Sequence, residues 1–97
     1  MPVHTEGAPR AADTNSLSHF ELVAAAETGL LARVIEPFAR RDLPVIRFHA
    51  AICRHDPAEM VVDIAVAATD AEEIGRVAGN LRQIVGVTRV VATAGRG

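Results

Sequence analysis

The feature that most constrains this chain is a strand–helix–strand pattern that begins at Phe20 and ends at Cys53. A short alternating segment leads into AETGLL, then into an amphipathic stretch ending in FARRDLP, then into a second alternating segment. A similar helix-then-strand pattern follows from Asp70 to Thr93. Two such halves in so short a span imply one small α/β sandwich. The loop after the first strand of such a domain is a frequent place for small-molecule binding.

The periodicities set the expected elements. Strand 1 is predicted over 18–26, with Phe20, Leu22, Ala24 and Ala26 alternating with His19, Glu21, Val23 and Ala25, and with Phe20 and Leu22 toward the core. Helix 1 is predicted to start near Thr28, whose hydroxyl suits a cap. Its stripe is Leu30, Leu31, Val34, Ile35 and Phe38. Pro37 lies inside that stripe, removes a backbone donor and crowds the Arg33 carbonyl, which predicts a kink or a loosened last turn. Strand 2 is predicted over 45–54, with Ile46, Phe48, Ala50 and Ile52 on one face and Val45, Arg47, His49, Ala51 and Cys53 on the other. Asp56 and Pro57 mark a hairpin-type connection. Strand 3 covers 60–67, with Met60, Val62, Ile64 and Val66 inward. Thr69 or Asp70 caps helix 2, Glu72 and Glu73 suit its first turn, and Gly86 supplies its stop. Strand 4 covers 87–94.

The order is therefore βαββαβ. Right-handed crossovers place both helices on one face of a four-stranded antiparallel sheet in the order 4-1-3-2. Strand 2 becomes an edge rich in Ile, Phe and Ala, an open template for pairing, so a homodimer joined through strand 2 is expected.

Composition removes several function classes. A chain of 97 residues makes one domain, and roughly 60–65% of the surface exposed on unfolding is buried at this size, so stabilisation by a partner fits. Apolar residues make up 49% but aromatics only 3%, so Val, Leu, Ile and Ala build the core. A net charge of −2 argues against nucleic acid as the main partner. Base stacking on the sheet is disfavoured too, because Phe20 and Phe48 fall on the inferred core side. Cys53 stands alone, which excludes an internal disulfide and the paired-cysteine metal chaperones. His49 and Cys53 share a strand face about 13 Å apart, too far for one metal centre. No run approaches the roughly 20 apolar residues of a membrane span, and MPVHTEGAPR lacks the order of a signal peptide, so a cytoplasmic location is expected. The open sheet face, with Arg47 and His49 beside Val23, Ala51 and Ala65, suits an interaction surface or a solvated face equally. Arg33, Glu36, Arg40 and Arg41 on helix 1 suit a solvated face or contact with a partner subunit. Asp56, Glu59 and Asp63 are placed with no nucleophile or pocket, so catalysis is discounted.

The stretch TGLLARVIEPFARRDLPVIRF resembles the first half of an ACT domain, and within that family the small, regulatory subunit of acetolactate synthase. That family carries a loop of the type Asn-x-Pro-Gly before helix 1 and a helix ending in Phe-Ala-Arg-Arg-Gly-Phe-Asn-Val. Gly29 matches the loop glycine; Phe38, Ala39, Arg40, Arg41 and Val45 match the helix end and strand start. The resemblance covers Phe20 to Thr93 and implies a ferredoxin-like α+β ACT domain over 18–94, a flexible tail over 1–17 and a short tail over 95–97. It implies a non-catalytic subunit of a thiamine-diphosphate-dependent catalytic chain in branched-chain amino acid synthesis, with no cofactor, metal or catalytic residue of its own.

In valine-sensitive members the amino acid sits at a dimer interface, held by the loop Asn, by backbone near the loop Gly and by an Asn at the start of the neighbour's strand 2. Here those two positions are Ala26 and Pro44, and Thr28 replaces the loop Pro. Two lost anchors cost on the order of 1–3 kcal/mol apiece. Weak or absent valine response is therefore expected. Ala26, Glu27, Thr28, Gly29 and Leu30 in the loop, with Pro44, Val45 and Ile46 on the edge, form a degenerate effector site. Their expected role is dimer and partner contact more than ligand capture. The alternative is a free-standing ACT sensor taking another small molecule, apolar and uncharged, at the same crevice. A small enzyme of this fold is a third reading, for which convergent titratable groups are missing.

Overall fold

The computed structural model describes residues 16–96. The elements are β1 (Ser18–Ala25), α1 (Thr28–Arg40), β2 (Val45–Ile52), β3 (Glu59–Val66), α2 (Ala71–Arg82) and β4 (Val87–Thr93). The strands pair antiparallel in one sheet, in the order β2-β3-β1-β4. This is the predicted ferredoxin-like topology. Most of the expected tail lies outside the described residues, but Leu17 is buried and joins the packed domain.

Period-two alternation buries Phe20, Leu22 and Ala24 of β1 and Met60, Val62, Ile64 and Val66 of β3. Helical spacing buries Leu30, Val34 and Phe38 of α1 and Ile74, Val77, Ala78 and Leu81 of α2 against them. Phe20 and Phe38 meet edge to face, with centroids 5.0 Å apart and an interplanar angle of 86°. Such a pair is worth about 0.5–1.5 kcal/mol beyond its burial. It fixes α1 over β1.

Several local expectations are corrected. β1 ends at Ala25 and β2 at Ile52, each short of its predicted end. Glu27, not Thr28, is the N-cap of α1, and its side chain caps nothing; Thr28 is already helical. α2 is capped as expected, by the Asp70 carboxylate accepting from the Glu72 N–H at 3.1 Å. α1 runs to Arg40 with Pro37 inside it, as the stripe places it. The end of α1 is a Schellman motif. The Leu43 N–H donates to the Phe38 carbonyl at 3.0 Å, and the Asp42 N–H to the Ala39 carbonyl at 3.1 Å. Asp42 adopts φ 56° to allow it. Gly86 does not stop α2, which ends at Arg82. It turns the chain into β4 instead, at φ 102°, with the Val87 N–H donating to the Ile84 carbonyl at 3.0 Å. A positive φ at the third position of such a turn favours glycine.

The edge strand departs most. Its register slips between Val45 and Arg47. Val45 pairs with Val66 and packs on the core, although strict alternation had sent it to the other face. Beyond the bulge, Phe48, Ala50 and Ile52 share one face, as alternation assigns them, and pair with Ile64, Val62 and Met60. One extra residue inverts the alternation on one side of it.

Candidate functional site

β1 and β2 each run antiparallel to β3, so they run parallel to each other, and their C-terminal ends lie together. The loop after β1 therefore faces the end of β2, not its start. The loop is pinned on two sides. The Ala26 N–H donates to the Ala58 carbonyl in the β2–β3 connection at 2.9 Å, and the Ala25 N–H to the Gly86 carbonyl at 2.8 Å.

A crevice of about 170 Å³ opens there. Ala26, Glu27 and Thr28 line it from the loop, Leu31 from α1, Ala50, Ala51 and Ile52 from β2 and Met60 from β3. Six of these eight side chains are apolar. Its polar groups are the Glu27 carboxylate, the Thr28 hydroxyl and the first turn of α1. The crevice has no cationic side chain to receive a carboxylate, while Glu27 repels one. The shape and chemistry suit a small aliphatic body better than a zwitterion.

The predicted site residues divide. Ala26, Glu27 and Thr28 come together in the crevice. Leu30 does not: it is buried, and its Cδ1 lies 3.3 Å from where a Cβ on Gly86 would stand. Gly29 is exposed, and a Cβ there meets nothing of this chain within 4 Å. Pro44, Val45 and Ile46 lie at the opposite end of β2, about 23 Å away by strand rise. Leu31, Ala50, Ala51, Ile52 and Met60 were missed by the sequence reading. The parallel relation of β1 and β2, implicit in the βαββαβ order, is the signal for the strand residues, and helical spacing from Thr28 is the signal for Leu31.

The two sheet edges differ. Ile46 and Ile52, 48% and 56% exposed, lie on β2, which among the described residues has no strand on its outer side. On β4, Arg82 donates from Nη2 to the Val90 carbonyl at 3.1 Å, tying the last turn of α2 to that strand. An arginine holding a strand carbonyl guards an edge against pairing. The open sheet face carries Arg47, His49, Glu21 and Asp63, with Glu21 and Asp63 opposite each other. The sequence contains neither Tyr nor Trp, and Phe20 and Phe38 are buried while Phe48 packs on the core, so no aromatic presents on that face. Among the described residues, no group of three or more His, Cys, Asp or Glu is placed to hold a metal, and no helix is long and apolar enough to cross a membrane.

No protein-family model and no curated protein matches this sequence. Solved structures do. The ACT domain of the GTP pyrophosphokinase of Chlorobium tepidum superposes with a TM-score of 0.66 at 12% identity, over 78% of this chain and 95% of that one. The chain has the ACT-domain fold. The regulatory subunit of aspartate kinase from Thermus flavus is similar, with a TM-score of 0.62 at 19% identity over 82% of this chain and 52% of that one. So is the C-terminal domain of the MgtC protein from Mycobacterium tuberculosis, with a TM-score of 0.68 at 14% identity over 96% and 94%. At these identities the likeness to other ACT-fold proteins is one of architecture.

Proposed function

We propose that this chain is a non-catalytic regulatory subunit that acts as a homodimer on a thiamine-diphosphate-dependent, acetolactate-synthase-like catalytic chain in branched-chain amino acid synthesis. The observation that carries the reading is the β2 edge. It is exposed and apolar, it borders the loop crevice, and the opposite edge is held by Arg82. An antiparallel pairing of two β2 strands about His49 sets Ile46 of one copy opposite Ile52 of the other. Pro44, Val45 and Ile46 of one copy then lie beside the Ala26–Glu27–Thr28 crevice of the other. The two halves of the degenerate site, remote within one chain, meet across such a pair. The FARR helix end supports the acetolactate-synthase assignment, and the fold shared with the aspartate kinase regulatory subunit supports a regulatory role.

A second reading is a free-standing sensor for a small, uncharged aliphatic molecule; the apolar crevice favours it. Reconstitution separates the two. The full chain is mixed with the thiamine-diphosphate-dependent large chain of its host, and acetolactate formation is measured with and without millimolar valine. The subunit reading expects a stable complex, a several-fold gain in turnover and no valine inhibition. Absence of both complex and activation leaves the sensor. Strong inhibition by micromolar valine refutes the degenerate site.

A further inference from the structure

We propose that the groove between α1 and the end of α2 docks an acidic amphipathic helix of the partner chain, an inference that rests on the subunit reading above. The groove encloses about 720 Å³, far more than the loop crevice. Arg33, Glu36 and Arg40 stand along its α1 wall, and Asn80 and Gln83 on the α2 wall. Arg33 and Arg40 are seven residues apart, about 10 Å along a helix, with Glu36 between them. None of the three is ion-paired among the described residues. The one salt bridge among the described residues is Arg76–Glu72, on α2.

The groove therefore presents plus, minus, plus over two helical turns. The matching order is a carboxylate, a cation and a carboxylate over the same 10 Å, which a second helix provides from one face with acids seven residues apart. A free small anion matches one arginine and leaves Glu36 opposed. One further feature asks for a peptide. Val85, 85% exposed at the tip of the turn before β4, and its neighbour Ile84 form an apolar lip. An aliphatic side chain on the docking helix covers that lip. The β2 edge lies elsewhere, so one dimer can pair through β2 and dock through both grooves.

The probe is a synthetic alanine-based helix of roughly 15 residues bearing two glutamates seven apart, a lysine between them and a leucine on the same face. It is titrated into the isotope-labelled full chain and followed by amide chemical shifts. Shifts at Arg33, Arg40, Asn80 and Val85 are expected, weakening with salt. The R33E/R40E variant leaves Glu36 in place and so presents three carboxylates; it should bind at least tenfold more weakly and recover with a helix bearing lysine at all three positions. Because both arginines are exposed, the variant's own spectrum reports whether it is folded. Equal binding of both helices, shifts centred on β2 or the open sheet face, or no saturable shift overturns the proposal. In the activation assay, loss of activation by an R33E/R40E chain that remains dimeric supports it. Full activation by that variant refutes the groove and leaves the subunit reading standing. A wild-type chain that activates nothing ends the subunit reading, and the peptide titration then decides the groove alone.

Discussion

Replacing Ile46 and Ile52 together by lysine should abolish self-association while leaving the fold of each copy intact. Full burial of an isoleucine side chain is worth about 1.5–3 kcal/mol. Ile46 and Ile52 retain 48% and 56% of their exposure, so pairing has about half of each side chain left to cover. That is about 1 kcal/mol per side chain, or roughly 4 kcal/mol for the two residues of both copies. At 1.4 kcal/mol per tenfold, the dissociation constant rises about a thousandfold. Lysine adds charge on a strand edge, which itself opposes pairing. Sedimentation equilibrium across the micromolar range reads the shift, and far-ultraviolet circular dichroism confirms that the monomer stays folded. Val91→Lys is the control, because Val91 is similarly exposed at 42% but lies on β4. A double variant that dimerises like the wild type refutes the β2 argument. A V91K chain that alone becomes monomeric shows that the copies meet along β4.

Three further substitutions test the local physics by urea or thermal unfolding. Gly86→Ala forces a Cβ into φ 102° and against Leu30; strain of about 1–3 kcal/mol, less about 0.4–1 kcal/mol from a stiffer unfolded chain, should lower stability by about 1–2 kcal/mol. Asp42→Gly should do the reverse, because glycine fits φ 56° without a Cβ; a gain of about 0.5 kcal/mol corresponds to roughly 2–4 °C in Tm. Ser18→Ala removes a buried hydroxyl that donates to the Ala68 carbonyl and accepts from the Gly95 N–H at 2.9 Å. The loss should be about 1–3 kcal/mol, with faster amide exchange at Gly95.

Element order, topology and nearly all of the core are legible in the local pattern of residues. Those are periodic properties. A two-residue repeat over Phe20, Leu22 and Ala24, and a helical repeat over Ile74, Val77, Ala78 and Leu81, each assign a face without knowledge of any neighbour. The order βαββαβ then admits few arrangements. The candidate site is only partly legible for the same reason: Ala26, Glu27 and Thr28 are contiguous and Leu31 follows one helical turn later, but Ala50, Ala51, Ile52 and Met60 join them only through strand order and pairing.

Features that depend on a single residue's distant partner are visible only in the folded chain. Val45 faces the core because a bulge, set by where β2 registers against β3, reverses the alternation. Leu30 is withdrawn from the site because it packs beneath the turn at Gly86, more than fifty positions away. Pro37 is buried inside α1, and that burial is a contact with the rest of the fold. Arg82 holds a carbonyl on β4 and leaves β2 as the unguarded edge. Each outcome is a contact between residues distant in the chain, and local periodicity carries no information about which distant partner a side chain meets.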